Sequence, residues 1–365
     1  MDATESAAEH DFDVVVIGGG QAALAIGFYL RRTPLSWIIL DDQPAPGGSW
    51  SHGWLSLRAF SPAQWSSLPG WQMPRTADEY PTRDDVLAYL AGYEQRYALP
   101  VRRSVRVTSV DHDAERLAIS ATTPAGIEHW RARAVISATG GAAFIPNAHG
   151  VETWRGLSMH SSEYVGPDRF AGKRVVVVGG GNSGAQIVAD LTDPASNVEN
   201  VTWATLEQPR FLPDEVDGRV LFDQATARYK AQQAGLLPPP AISLGDIVAV
   251  APVRAARDRG DLRTVRMFDE LGGTIVHWPD KTVTHEDAII WATGFRPALA
   301  HLSSLDIVNT GGRCDVGGPA GTRSVVEPRV WLVGYGNWTG YASATLIGVG
   351  RSARATVDEI AAALS

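Results

Sequence analysis

Two glycine-rich segments of equal spacing have the most specific chemical meaning in this sequence. Residues 18–23 read Gly-Gly-Gly-Gln-Ala-Ala, and residues 179–184 read Gly-Gly-Gly-Asn-Ser-Gly. A glycine turn at the start of a helix binds a pyrophosphate, because backbone N–H groups face the anion and no Cβ blocks its approach. Each segment therefore predicts a phosphate-binding turn. The alternative for either one is a tight turn that serves packing only.

The residue at the end of the strand after each motif distinguishes the two expected ligands. Asp41 lies where a ribose hydroxyl is usually bound, and its carboxylate would repel a 2′-phosphate. The first turn therefore favours FAD or NAD. Thr205 ends the corresponding strand of the second motif, and Arg210 follows, which favours the 2′-phosphate of NADPH. Glu207 argues for NADH instead.

Each glycine motif lies between a predicted strand and a predicted helix. Apolar runs at 13–17 and 174–178 precede the motifs, and apolar residues with a period near 3.6 follow them. Further strands are expected at 37–40 and 201–203. The pattern predicts two βαβ units, each opening a parallel sheet.

Composition narrows the class of protein. The chain has 365 residues, 44% hydrophobic, and its 32 basic and 40 acidic residues give a net charge of −8. Such acidity disfavours nucleic acid and anionic membranes as partners. Cys314 is the only cysteine, so no intrachain disulfide or cysteine-rich metal site is expected. With no signal-peptide pattern and no spanning apolar run, a soluble cytoplasmic protein is predicted.

One segment resembles a family signature. Residues 154–164 read Trp-Arg-Gly-Leu-Ser-Met-His-Ser-Ser-Glu-Tyr. This is similar to the signature of flavin-containing monooxygenases, an aromatic-x-Gly-x-x-x-His-x-x-x-aromatic element whose first position is more usually Phe. The related Baeyer–Villiger enzymes usually end this element with Trp and then Pro or Asp, where this chain has Tyr164 and Val165.

Further local matches specify the subgroup. Residues 46–50 (Pro-Gly-Gly-Ser-Trp), 60–62 (Phe-Ser-Pro) and 80–83 (Tyr-Pro-Thr-Arg) resemble the short bacterial monooxygenase-like flavoproteins. These include proteins of arsenic-resistance operons, and the plant enzymes acting on indole pyruvate are similar. The resemblance extends over about residues 12–206 and 287–360.

The resemblance implies an α/β fold of two Rossmann-like domains. The expected FAD-binding domain comprises residues 1–165 and 290–365, and the NADPH-binding domain comprises residues 166–289, with a cap or insertion at about 207–261. The motifs and the resemblance together predict FAD contacts at Gly18, Gly20, Gln21, Ala22, Asp41, Gly48, Ser49, Trp50, Arg58, Val107, Ala138, Thr139, Gly140, Asn337 and Ala344. The predicted NADPH contacts are Gly179, Gly181, Asn182, Ser183, Gly184, Thr205, Arg210, Ala292, Thr293 and Gly294.

The resemblance also implies a reaction. NADPH would deliver hydride to the flavin, O2 would add at C4a, and the C4a-hydroperoxyflavin would oxygenate a small nitrogen, sulfur or arsenic centre or a small carbonyl compound. Catalytic candidates are His160, Ser61 and Trp50. His160 is equally a structural histidine that holds the signature loop. No metal site is expected, and a homodimer is a possible assembly.

Two departures from the family pattern keep alternatives open. The longer monooxygenases have an Asn where this chain has Phe60 and Ser61, and related flavoproteins have Gly-Asp where it has Gly336 and Asn337. An NADPH oxidase or a flavin-dependent reductase would keep both cofactors without oxygenating a substrate. A non-catalytic flavin sensor would not need a second intact glycine motif.

Overall fold

A computed structural model describes residues 10–237 and 246–365. Its helices are α1 Gln21–Leu30, α2 Arg83–Arg96, α3 Asn182–Leu191, α4 Gly218–Gln233, α5 Ala251–Arg259 and α6 Val349–Leu364. Its strands are β1 His10–Ile17, β2 Trp37–Leu40, β3 Val101–Arg102, β4 Arg106–Asp113, β5 Arg116–Thr123, β6 Gly126–Ser137, β7 Gly141–Ala143, β8 Leu157–His160, β9 Arg174–Val178, β10 Asn200–Thr205, β11 Thr264–Arg266, β12 Glu270–Gly272, β13 Ile275–His277, β14 Val283–His285, β15 Ala288–Trp291, β16 Phe295–Pro297, β17 Val316–Gly317, β18 Arg323–Ser324 and β19 Val330–Leu332.

The first sheet has the strand order β17-β18-β19-β6-β1-β2-β3, and β4 and β5 extend from β6 as antiparallel strands. Strands β1, β2, β3, β6 and β19 run parallel. Val14, Val15 and Val16 of β1 are fully buried, as expected for a central parallel strand covered on both faces. Helix α6 packs beside α1 on one of those faces.

The second sheet repeats the arrangement with the order β11-β10-β9-β15-β8, and all its pairs are parallel. Central strand β9 is again apolar and buried from Val175 to Val178. Helix α3 follows it, and β12, β13 and β14 form a separate antiparallel sheet. Two βαβ units that open parallel sheets confirm the predicted α/β fold with two Rossmann-like domains.

Two short strands connect the two units. The chain leaves the first unit through β7 and returns through β16, and these strands pair antiparallel. The second unit is therefore inserted between parts of the first. Its strands extend from Leu157 to Trp291, which places β8 and the end of β15 outside the predicted range 166–289. The predicted boundaries otherwise remain a proposal.

The predicted insertion at 207–261 divides into two parts with different positions. Helix α5 packs on α3 through the buried Val253 and Ala256 and leads into β11, so it is the crossover helix of the second unit. Helix α4 instead contacts the first unit, where the Gly218 N–H donates to the Phe60 carbonyl over 2.8 Å. The Pro-rich segment at 238–240 lies outside the described residues.

Within the described ranges, no helix combines the length and hydropathy needed to cross a bilayer. The same ranges contain no group of three or more His, Cys, Asp or Glu side chains arranged to hold a metal ion.

Candidate functional site

The first glycine turn combines one glycine needed for packing with one that faces open space. A Cβ on Gly18 would lie 2.7 Å from the Ala138 carbonyl oxygen, and its φ is +98°. Gly20 is the N-cap of α1, and no side chain caps that helix. A Cβ on Gly20 would find its nearest atom, the Gly48 Cα, only at 3.8 Å. The unsatisfied helix N-terminus and the space before it form a cradle for an anion.

The turn at 46–50 forms one wall of this cradle. Gly48 has φ +53°, and a Cβ there would lie 2.7 Å from the Gly20 Cα, so the two backbones touch. The indole N–H of Trp50 donates to the Gln21 side-chain oxygen over 3.2 Å. The Gln21 amide donates in turn to the Ala344 carbonyl over 2.7 Å. These contacts bring together residues from three distant segments that were all predicted to bind FAD.

Asp41 lies beside the same glycine turn. It is 3% exposed, and one carboxylate oxygen accepts the Gly19 N–H over 2.9 Å. The other oxygen pairs with the Arg103 guanidinium, which also binds Glu94 of α2. Burial raises the pKa of Asp41, and the charge of Arg103 opposes that rise. Arg103 and Glu94 were not predicted, because neither belongs to the glycine motif.

The first turn therefore fits FAD: it offers an uncapped helix N-terminus, room for a pyrophosphate and a positioned carboxylate. Val107, on β4, lies two residues beyond Val105, whose N–H donates to the Asp41 carbonyl. Ser49 is exposed near Gly140, where a Cβ on the glycine would lie 3.9 Å from the serine hydroxyl.

The second glycine turn also combines glycines that are needed for close packing with one that faces open space. A Cβ on Gly179 would lie 2.2 Å from the Ala292 carbonyl oxygen, and one on Gly184 would lie 2.2 Å from the Gly179 carbonyl oxygen. Gly181 is the N-cap of α3, again without a side-chain cap, and a Cβ there would meet nothing within 4 Å. The second turn thus fits a second dinucleotide.

The register of the sheets shows that Thr205 is the counterpart of Asp41. Leu40 lies opposite Ile17 in the first sheet, and Ala204 lies opposite Val178 in the second. The next residue is Asp41 in one unit and Thr205 in the other. Thr205 is 4% exposed and carries no charge that would repel a 2′-phosphate.

Two polar residues predicted to contact NADPH have protein partners. The Arg210 guanidinium is 78% exposed and lies 3.4 Å from the Asp246 carboxylate. The Asn182 amide donates to the Asp246 carbonyl over 3.1 Å and accepts the Val248 N–H over 2.9 Å. Asn182 therefore anchors the segment at 246–248. Ser183 is half-buried beside it.

The two Ala-Thr-Gly segments lie together at the connection between the units. The Thr139 hydroxyl donates to the Ala298 carbonyl over 2.7 Å. The Thr293 hydroxyl donates to the Phe144 carbonyl, and the Phe144 N–H donates to the Gly294 carbonyl over 3.1 Å. Each threonine therefore joins one connecting strand to the other, and their predicted contacts to cofactors stay predictions.

His160 binds the same connection. It is 1% exposed, and its Nε2 donates to the Gly294 carbonyl over 2.9 Å. Its Nδ1 accepts the Ser162 N–H over 3.2 Å, and the Ser162 hydroxyl lies 2.9 Å away. Burial lowers the pKa of His160, so the neutral ring is favoured. With both ring nitrogens engaged, the arrangement matches the structural role considered for this histidine.

Ser61 and Arg58 also have partners within the protein. The Ser61 hydroxyl is 2.8 Å from the Ser66 hydroxyl, and the residue is 4% exposed. The Arg58 guanidinium pairs with Asp78, and its peptide N–H donates to the Gln186 side chain over 3.3 Å. Asn337 is exposed at the start of a short 3-10 turn.

A buried polar chain behind the first Ala-Thr-Gly segment was not predicted. The Tyr335 hydroxyl lies 2.5 Å from the Ser137 hydroxyl and 2.8 Å from that of Thr139. Ser137 in turn lies 3.1 Å from Nε2 of His301, and burial lowers the pKa of His301 to about 4. These residues come from separate strands and loops, and no local sequence pattern links them.

Comparison with known proteins identifies the family. Residues 15–210 match the pyridine nucleotide-disulphide oxidoreductase family. A flavin-containing monooxygenase from Stenotrophomonas maltophilia is 49% identical, with a TM-score of 0.86, 98% of this chain covered and 100% of the other. The chain belongs to the flavin-containing monooxygenase family. It is an enzyme of the short bacterial type, as the sequence motifs predicted, and it uses FAD and NADPH.

Two other relatives agree with this assignment. An uncharacterized CzcO-like oxidoreductase of Geobacillus kaustophilus is 27% identical over 363 residues, covering 96% of this chain and 99% of the relative. An indole-3-pyruvate monooxygenase of Oryza sativa subsp. indica is 26% identical over 320 residues, covering 77% and 75% respectively.

Proposed function

We propose that this flavin-containing monooxygenase transfers one oxygen atom of O2 to a small soft nucleophile, at a nitrogen, sulfur or arsenic centre, or to a small carbonyl compound. NADPH, a proton, O2 and substrate would give NADP⁺, water and the oxygenated product. The observation that carries the proposal is the pair of uncapped glycine cradles, at Gly20 and Gly181. The strand after the first cradle is followed directly by a carboxylate, Asp41, and the strand after the second ends at the uncharged Thr205. Bound FAD would accept hydride from NADPH and activate O2.

The protein's own residues would hold and align the two nucleotides. Asp41 suits a ribose hydroxyl, and the chain of contacts from Trp50 through Gln21 to Ala344 fixes the walls of the first cradle. The hydroxyls of Thr139 and Thr293 fix the connecting strands. Such fixed geometry supports hydride transfer, because the reacting atoms must approach closely and in line.

Helix α4 would exclude water from the flavin side of the site. It begins at Gly218, which is so close to the first unit that a Cβ there would lie 2.5 Å from the Ser61 Cβ. The Phe222 ring lies 5.9 Å from the Phe60 ring. Oxygenation needs a dry pocket, since water promotes loss of activated oxygen as peroxide. These contacts support a covered site.

A recess beneath α4 is our candidate for the substrate site. Its enclosed volume is about 40 Å³, and it lies between α4 and the loop that precedes α6. Ala342 lines the recess. Two residues further on, the Ala344 carbonyl accepts a hydrogen bond from the Gln21 amide. The other lining residues are mostly apolar and include one guanidinium: Trp65, Phe222, Thr226, Tyr341, Ile347, Gly348 and Arg351. This lining favours a small apolar substrate, and the Arg351 guanidinium beside it donates to the Thr226 hydroxyl over 3.2 Å.

A substrate panel tests the proposal. Amines, thioethers, trivalent arsenicals and small ketones or keto acids are each supplied with NADPH and O2, and the oxygenated product is measured by mass spectrometry. At least one class should give product in step with NADPH consumption. Phe222→Trp should raise KM for that substrate by filling the recess, while anaerobic reduction of the flavin by NADPH stays unchanged.

The second candidate function is an NADPH oxidase or flavin-dependent reductase. It is favoured by the absence of an amide side chain at Phe60 and Ser61, where the longer family members have an Asn. The Ser61 hydroxyl is hydrogen-bonded to the Ser66 hydroxyl, and the Phe60 carbonyl accepts a hydrogen bond from the Gly218 N–H. Stoichiometric release of peroxide with every substrate class would support this candidate over the monooxygenase.

A further inference from the structure

The equivalence of the two units extends to their third strands. In the first sheet Leu40 lies opposite Arg102, so the next pair is Asp41 and Arg103. In the second sheet Thr205 lies opposite Arg266. Because Asp41 and Thr205 are counterparts, Arg103 and Arg266 occupy equivalent positions on β3 and β11 or directly after them.

The two arginines differ in what surrounds them. The Arg103 guanidinium is 16% exposed and pairs with Asp41 and Glu94. Arg266 is exposed, and its register partner is the uncharged Thr205. Among the residues that the structure describes, no carboxylate forms an ion pair with Arg266. The first unit thus neutralises its arginine, whereas the second leaves the equivalent charge available at the end of its sheet.

We propose that Arg266 binds the 2′-phosphate of NADPH and sets the preference for NADPH over NADH. In the first unit the carboxylate of Asp41 suits a free ribose hydroxyl; at the equivalent point of the second unit, a phosphate on that hydroxyl would lie beside Thr205. A guanidinium one strand away suits a phosphate, because its planar N–H groups bind two oxygens at once. The inference rests on the proposed function in taking NADPH as the coenzyme.

This inference differs from the sequence-based expectation for Arg210. The Arg210 guanidinium lies 3.4 Å from Asp246, so a carboxylate already offsets part of its charge. It also lies in the segment after β10 rather than on a strand of the sheet. Arg210→Gln is therefore the matched control for Arg266→Gln, because each change removes one exposed guanidinium near the same end of the sheet.

The test is a binding measurement on the oxidised, FAD-loaded enzyme. The probe is adenosine 2′,5′-bisphosphate, with adenosine 5′-monophosphate as the ligand that lacks the 2′-phosphate, and calorimetry gives both Kd values. Arg266→Gln should weaken the bisphosphate by about 10- to 100-fold, as expected for loss of charge-assisted hydrogen bonds. The monophosphate should bind as before. Arg266→Lys should retain part of the affinity, and Arg210→Gln should change it far less.

Kinetics with both coenzymes provides a second measurement. Arg266→Gln should raise KM for NADPH by a similar factor and leave KM for NADH nearly unchanged. The inference is overturned if both ligands lose affinity equally, if neither does, or if Arg210→Gln produces the selective loss instead. Binding to oxidised enzyme does not depend on oxygen transfer, so a protein that only releases peroxide would refute the proposed function and leave this test intact.

Discussion

The Nε2 atom of His160 donates a hydrogen bond to the Gly294 carbonyl across 2.9 Å, which joins the signature segment to the strand that returns to the first unit. The Thr293 hydroxyl lies in the same connection and binds the Phe144 carbonyl. His160 therefore supports the geometry between the two dinucleotide sites through the connecting strands. We class it as a positioning residue.

Replacing His160 should affect stability and alignment rather than proton transfer. His160→Ala should lower the free energy of unfolding by about 1–3 kcal/mol, because a buried carbonyl loses its donor. His160→Gln offers an amide donor and should recover part of that loss. Urea unfolding measures the stability, and anaerobic flavin reduction measures the alignment. A kcat limb in the pH profile that disappears in His160→Gln, with stability unchanged, would show a catalytic proton instead.

Two glycine substitutions should separate the two nucleotide sites. A methyl group on Gly20 or Gly181 meets no close protein atom but fills the space before an uncapped helix. Gly20→Ala should therefore weaken FAD binding, and Gly181→Ala should weaken NADP⁺ binding, each by about tenfold or more. Flavin occupancy and calorimetry with NADP⁺ measure these effects.

Each variant is the control for the other, because both keep the fold and change one cradle. Gly184→Ala is expected to destabilise the fold itself, since its Cβ would lie 2.2 Å from the Gly179 carbonyl oxygen. Loss of FAD from Gly181→Ala with retention in Gly20→Ala would contradict the assignment of the two sites.

His301 should make the enzyme sensitive to acid. Burial lowers its pKa to about 4, from 6.5 for the free side chain, so the native state resists protonation that the unfolded chain accepts. Stability should be fully present above pH 6.5 and fall by about 3 kcal/mol between pH 6.5 and 4 on account of this group alone. Thermal or urea unfolding across this range measures the loss.

The control is His301→Gln, which cannot titrate and keeps a polar group near the Ser137 hydroxyl. Other groups contribute to acid sensitivity in both proteins, so the difference between the two curves isolates His301. Parallel curves for wild type and variant would contradict the prediction.

Thr205→Asp should change the coenzyme preference. The substitution puts a carboxylate at the counterpart of Asp41 and next to Arg266, and so copies the pair between Asp41 and Arg103. Because a carboxylate repels the 2′-phosphate and accepts a ribose hydroxyl, KM should rise for NADPH and fall for NADH. Steady-state kinetics with both coenzymes measures the change, and Thr205→Asn is the uncharged control. An equal loss in both variants would indicate steric disruption.

The sequence predicted those features that a short stretch of chain determines. The turns at Gly18 and Gly179 need a positive φ and close approach to a neighbouring strand, and these demands appear directly as glycine. Asp41 was predicted because it follows the second strand of the unit. Ile17 and Val178 end central strands, and the run of apolar residues in each strand is evident from the order of residues in the sequence.

The remaining features depend on contacts between distant segments. Arg103 comes directly after β3 and pairs with Asp41. Thr139 donates to the Ala298 carbonyl and Thr293 to the Phe144 carbonyl, each in a distant segment of the chain. No spacing rule in the sequence predicts these contacts. The segment was predicted as a cap or insertion, although α5 packs on α3 as a crossover helix of the second unit and α4 lies against Phe60 of the first. Its sequence has no motif that distinguishes packing on α3 from packing on Phe60.

The most direct test of the proposed function is to follow oxygen from isotopically labelled O2 in the presence of NADPH and each substrate class. The proposed function predicts that, for at least one class, the product carries one labelled oxygen atom for each NADPH oxidised, with little labelled peroxide. Labelled peroxide equal to the NADPH consumed, with unlabelled substrate recovered for every class, would contradict it and leave the oxidase or reductase in its place.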